Sequence, residues 1–178
     1  MSVEIDAQDI EKAMKALEQV PHTVERAAAA ALNRAVVAGR TAVSKGIRER
    51  YTLKATDIKE QVRIKRAARN RLDAEVTVTG TPVDLTKFRV RISGRGIYAQ
   101  VKKGGGGTLR RSFFMAVGKA GLYHRSSKSR LPIQREFGPS VPQMAGEINV
   151  SRGVEERMQA VFRERLAREV AYRMENME

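Results

Sequence analysis

The chain has 178 residues, 34 Lys or Arg against 20 Asp or Glu, a formal net charge of +14, and neither Cys nor Trp. Its length suits one ordinary domain, and a composition 42% hydrophobic but only 5% aromatic predicts an aliphatic, Ala-rich core. Disulfides, thiol nucleophiles and Cys-ligated metals are excluded; no apolar run reaches the roughly 18 residues of a membrane-spanning helix; and the mixed, acidic opening "MSVEIDAQDIEKAMK" lacks signal-peptide character, which predicts folding inside the cell.

In chain order, "SVEID" reads as a short strand. Asp6 or Asp9 then caps a helix over "AQDIEKAMKALEQV", with Ile10, Met14 and Leu17 at helical spacing and Pro21 as its stop. Thr23 suits the N-cap of a long helix running to about Arg50, with Val24, Ala28, Ala31, Leu32, Ala35, Val36, Val43 and Ile47 on its apolar face. The small-sided middle, "AAAAALNRAVVAG", lets another element approach closely, the chain's own sheet or a neighbouring subunit. Thr56-Asp57 are expected to cap a short helix over "IKEQV". From Val62 the period becomes two: "VRIKRA", "AEVTVTG" and "FRVRIS" alternate as half-buried strands do, with "GTP" (Gly80–Pro82) as a turn. "GIYAQVKK" and "TLRRSFFMAVG" flank Gly104–Gly107, and "GLYHR" is one more strand.

The stretch "RLPIQREFGPSVPQM" (Arg130–Met144) holds three of the five prolines. Proline fixes φ and discourages helix and sheet, so 130–144 reads as an ordered proline-rich loop anchored by Ile133, Phe137, Val141 and Met144. In the last helix, "GVEERMQAVFRERLAREVAYRMENM", Val154, Met158, Val161, Phe162, Leu166, Val170 and Met174 form one stripe, and Glu155 and Glu156 are placed in the first turn, which suits the helix dipole. The expectation is a single α+β domain over residues 1–178: a mostly antiparallel sheet packed against a long N-terminal-half helix and a C-terminal helix, with a flexible glycine-rich hairpin at 102–111.

Chemistry is sparse. The tetraglycine is not a phosphate loop, because Lys102 and Lys103 precede the glycines and no G-K-[ST] follows. His22 and His124 lack metal-ligand spacing, and Ser112, Ser126, Ser127 and Ser129 lack a nucleophile elbow. Asp57, Asp73 and Asp84 are the carboxylates a two-metal nuclease would draw on, but they occupy ordinary turn and helix-start positions. No catalytic residue, metal or cofactor is expected. Basic residues cluster instead in "RIKRAARNR", "KFRVRISGRG" and "HRSSKSR", and Arg89 and Arg91 share one face of their strand. A net positive surface attracts polyanions by counterion release. The candidates for contact with DNA or an acidic partner are Arg89, Arg91, Arg95, Lys102, Lys103, Arg110, Arg111, Arg125, Lys128 and Arg130. Aromatics are not interleaved with them in sequence, so backbone contact without base reading is expected.

"ALNR" opening a long helix, then "IRERY-LKATDI", "AEVTVTGTPVDLTKF", "SFFMAV" and "HRSS…SRLPIQREFGPSVPQM" in this order resemble the phage minor tail protein Z family, tail-completion proteins among the neck proteins of long-tailed phages. The resemblance covers about Ala30 to Met144, and its most recognisable part is the loop with Pro132, Ile133, Phe137, Gly138, Pro139 and Pro142, read as an interface. It implies a structural, non-enzymatic virion protein, assembled in the host cytoplasm and resident in the tail or neck. Its implied partners are other copies in a ring, preferably hexameric, the tail terminator and tail tube, and the head-neck connector, with no membrane. Non-specific contact with genomic DNA is a further implied interaction. The alternative reading is a non-specific nucleic-acid-binding protein acting outside a virion.

Overall fold

The computed structural model describes residues 21–175 apart from 95, 117 and 119. The strand and helix expected before Pro21 lie outside the described residues. The described chain is α+β, and its long helix, C-terminal helix and antiparallel pairings are those expected. The strands divide into four small antiparallel sheets, and the chain clusters into two compact units.

Among the described residues, the first unit contains residues 21–43, Val62–Val78 and residues 146–175. Its first helix belongs to α1, Pro21–Arg50, whose Val24, Ala27, Ala28, Ala31, Leu32, Ala35, Val36 and Val43 are buried. A hairpin follows, β1 (Val62–Lys65) against β2 (Glu75–Val78), in the register Val62↔Val78 and Ile64↔Val76. A C-terminal helix buries Val154, Met158, Val161, Phe162 and Leu166 of the expected stripe, together with Val150, while Val170 is half-buried. The small side chains of α1 do admit a close neighbour, and it is intramolecular. A Cβ added at Gly39 would lie 2.5 Å from Met158 Sδ and 3.1 Å from Val76 Cγ2. Asn33, from "ALNR", clamps the connection between β1 and β2: its Oδ1 accepts from Ala67 N (2.9 Å) and its Nδ2 donates to Ala67 O (3.0 Å).

The second unit contains Ser44–Gln61 and Thr79–Ala145. It carries the end of α1 and α2 (Ala55–Lys59), then β3 (Pro82–Asp84), a 3-10 turn (Leu85–Lys87), β4 (Arg89–Ser93), β5 (Gly96–Gln100) and β6 (Gly107–Leu109). There follow β7 (Ser112–Met115), β8 (Gly121–Arg125), β9 (Ile133–Arg135), β10 (Phe137–Ser140) and α3 (Val141–Ala145). The helix α4 of the first unit then spans Ile148–Glu175. Three sheets form here, ordered β4-β5-β6, β7-β8-β9 and β10-β3. Buried Tyr51, Leu53, Ile58, Val83, Leu85, Phe88, Ile97, Leu122, Val141 and Met144 fill this unit.

Four local expectations are corrected. The short helix α2 begins at Ala55 with Lys54 as N-cap and no side-chain cap, so Thr56 and Asp57 lie inside its first turn. The last helix starts five residues before Gly153, which moves Glu155 and Glu156 out of its first turn. "TLRRSFFMAVG" is two strands: Arg111 takes φ 63°, a left-handed conformation that ends β6 and sends β7 to a different sheet. Finally, the 130–144 segment expected as a loop holds β9, β10 and α3. Its prolines are compatible with this because of where they fall. Pro139 sits in the register shift between Phe137 and Ser140, where no ladder N–H is needed. Pro142 lies in the first turn of α3, where a missing N–H costs nothing.

Candidate interaction surface

Two segments far apart in sequence, "TPVDLTKF" and "IQREFGPS", meet in the second unit. Strand β3 pairs with β10 through Phe137↔Asp84 and Ser140↔Pro82, and Leu85 N donates to Glu136 O at 3.2 Å. Asp84 is central. Its Oδ1 accepts from Thr86 N at 2.8 Å and from the Thr86 hydroxyl, capping the 3-10 turn, while its Oδ2 forms an ion pair with Arg135 Nε. Burial raises the Asp84 pKa, but the Thr86 hydrogen bonds and the Arg135 charge outweigh it, so the net direction is below the ordinary aspartate value. Arg135 also donates to Ala120 O at 2.8 Å. The buried Phe88 ring lies on Gly138, where an added Cβ would be 2.5 Å from Phe88 Cε2. Ser140 and Gln143 complete the clamp as a capping box: Gln143 N donates to Ser140 Oγ (3.4 Å) and Ser140 N to Gln143 Oε1 (2.9 Å). Of the proposed loop residues, Gly138 and Pro139 are half-buried, whereas Phe137 is 53% exposed.

The carboxylates considered for a nuclease are each matched to a cation or cap. Asp57 bonds Lys87 at 2.6 Å, a hydrogen bond that raises the Lys87 pKa. Asp73 bonds Lys65 at 2.7 Å, which lowers the Asp73 pKa. No group of three His, Cys, Asp or Glu side chains with metal-binding geometry occurs among the described residues. His124 has a carboxylate partner that its sequence neighbourhood does not reveal: its Nδ1 is 3.1 Å from Glu136 Oε1, the atom that also accepts from Ser112 Oγ at 3.0 Å. Serine and histidine thus converge on one oxygen without bonding each other, which is not the arrangement that activates a serine nucleophile.

The cationic candidates separate into three places. Arg89 and Arg91 lie on one face of the β4-β5-β6 sheet, opposite Gln100 and Tyr98. Lys102 and Lys103 sit at the glycine-rich loop. Lys103 N donates to Arg50 O, Gly105 N to Lys102 O, and the Lys102 ammonium is 5.4 Å from the Tyr51 ring centroid. Gly104, at φ 80°, supplies the turn, and Tyr98 covers Gly106 so closely that an added Cβ would strike its hydroxyl. Arg110 and Arg111 follow β6, and the register Ile97↔Leu109 puts them at the end of the strand pair away from the glycines. The four cations flanking the glycines in sequence are therefore not one cluster. Arg125, the last residue of β8 and paired with Ile133, and Lys128 and Arg130 in the connection from β8 to β9 are all exposed. Arg95 lies outside the described residues.

One charge signal in the sequence was missed. Leu85–Arg135 contains 13 Lys or Arg and no Asp or Glu, leaving 21 basic against 20 acidic residues elsewhere. Nearly the whole net charge thus falls on consecutive residues of the second unit. Register also interleaves aromatics that sequence spacing does not: Phe113 and Tyr123 stack at 6.4 Å, with Arg125 over Phe113 (4.7 Å) and Arg135 over Tyr123 (5.9 Å). No helix among the described residues is long and apolar enough to cross a membrane.

A family model described as "Prophage minor tail protein Z (GPZ)" matches residues 8–177. No curated protein and no solved structure shows a significant match.

Proposed function

As the chain belongs to the prophage minor tail protein Z family and is thus a phage tail protein, we propose that it completes the head-proximal end of a long tail as one subunit of a ring, preferably six-fold, at the head-tail joining interface. The observation that carries this reading is the family match from residue 8 to residue 177, which leaves little of the chain unaccounted for. Two features support it. The β3–β10 clamp makes the most family-like segments a stiff platform with Phe137 presented outward, as a subunit contact requires. The acid-free block Leu85–Arg135 provides a strongly basic surface toward the DNA channel or acidic ring neighbours. The role is structural, with the tail terminator, the tail tube and the head-neck connector as partners, and the protein resides in the virion after assembly in the host cytoplasm.

Particles lacking this chain test the reading. Such particles are expected to be non-infectious, with tails that gain competence to join DNA-filled heads when the purified protein is added. Normal joining and infectivity without it would overturn the proposal. The competing reading, a nucleic-acid-binding protein acting outside a virion, requires tight DNA binding by the monomer in moderate salt and no association with tails. Mobility shifts at two salt concentrations beside light scattering separate the two.

A further inference from the structure

We infer that the outer face of the β4-β5-β6 sheet is a phosphodiester-binding site, with Arg89 and Arg91 holding successive phosphates of a nucleic-acid backbone. This deepens the basic-surface part of the proposed function and rests on that part alone.

Strand register defines the face. Arg89↔Gln100, Arg91↔Tyr98 and Tyr98↔Thr108 put these five side chains, with Ser93, on one side of the sheet. Val90, Ile92, Ile97, Ala99 and Leu109 take the other side, where Ile97 and Ala99 are buried. The first face is therefore the outward one, and it forms a concavity of about 500 Å³ lined by Arg89, Arg91, Ser93, Tyr98 and Gln100. Two arginines at i and i+2 on a strand stand roughly 7 Å apart, and each planar fork suits a phosphate oxygen pair better than a lysine point charge does. Both are available for a ligand. Arg89 makes only a 3.5 Å contact to the neutral Gln100 oxygen, and Arg91 has no hydrogen-bond or ion-pair partner among the described residues. No carboxylate belongs to β4, β5 or β6 or to their connections.

The chemistry of the face selects the partner. Protein interfaces are anchored by apolar and aromatic residues with charge depleted from the centre. Here the apolar residues point away, and the centre holds two guanidinium groups, hydroxyls and a carboxamide. That polar, strongly positive character belongs to nucleic-acid interfaces. Tyr98, beside Arg91, adds one aromatic surface without the row of stacking groups that base recognition needs, so the contact is to backbone and independent of sequence.

The test is fluorescence anisotropy with a short mixed-sequence duplex and a short oligothymidylate, over a salt series from about 50 to 200 mM. The double variant Arg89→Ser/Arg91→Ser is compared with Arg63→Ser/Arg66→Ser, the same charge change on exposed residues outside the acid-free block. The first is expected to reduce the salt slope by about 1.8 on duplex or about 1.4 on single strands, and the arm that responds identifies the form bound. The second should change either slope by less than about half as much. Arg89→Lys/Arg91→Lys should retain most of the slope while weakening binding. Equal effects of the two Ser doubles, or no effect of the first, would overturn the inference. Incorporation of the Arg89/Arg91 variants into tails is scored separately: intact incorporation with unchanged DNA binding removes this site and leaves the proposed function standing, whereas failure of the wild-type protein to associate with tails removes the latter.

Discussion

Asp84→Asn separates the charge at the centre of the clamp from its shape. The carboxamide can still accept from Thr86 N, which preserves the 3-10 cap, but its NH₂ or neutral oxygen replaces the carboxylate beside Arg135 Nε. The side chains of Arg135 and Asp84 are 27% and 14% exposed. Exposed pairs contribute up to about 1 kcal/mol, and breaking a fully buried one costs about 3–5. Arg135 keeps its bond to Ala120 O, so the intermediate figure of about 2 kcal/mol applies. With a urea m-value near 2 kcal/mol/M, the midpoint of the transition involving this unit should fall by about 1 M at neutral pH. Asp84 has a lowered pKa in the folded state, so its contribution is complete above the unfolded-state aspartate value and is lost as pH falls through the folded one. The gap between wild type and variant should therefore close below about pH 4. A loss under about 0.5 kcal/mol at pH 7, or a gap unchanged to low pH, would refute the assignment of Asp84 as the charged centre of the clamp.

Gly138→Val should force the Phe88 ring from its place and destabilise by about 1–3 kcal/mol, while Gly107→Ala, in open space, should stay within about 0.5, both read from urea midpoints. Ser140→Ala removes the capping box of α3 and should lose about 1 kcal/mol, with faster hydrogen exchange confined to Val141–Ala145 and its neighbours. Lys102→Ser/Lys103→Ser and Arg110→Ser/Arg111→Ser lie at opposite ends of the β5–β6 pair, so each double should reduce infectivity without lowering the melting temperature, and their effects should multiply when combined. Equal infectivity of all these variants and wild type would make both ends of the hairpin simply solvated.

The long-range periodic features were legible. The apolar faces of α1 and α4 are buried almost residue for residue, and period-two stretches became strands, because burial of one face dictates both patterns. The proline-rich segment was misread because proline is prohibitive only where an N–H is required, and Pro139 and Pro142 occupy the two kinds of position where it is not. The break at Arg111 was illegible because one residue at positive φ leaves the alternation on either side intact. In the candidate surface, Arg89 and Arg91 were readable from strand alternation, but Tyr98 and Gln100 join them only through cross-strand register. The role of Asp84 depends on Arg135, 51 residues along the chain, and no local pattern announces that pair. The acid-free block, by contrast, was in plain view as an absence, which a search for clusters of basic residues does not register.

Cryo-electron microscopy of the head-proximal end of assembled tails tests the central claim most directly. The account predicts a closed ring of this chain capping the tail tube, with Phe137 and its clamp at a subunit or neighbour contact and Arg89 and Arg91 facing DNA density. A map in which this chain is absent from the tail end, or present there without ring contacts, would contradict it.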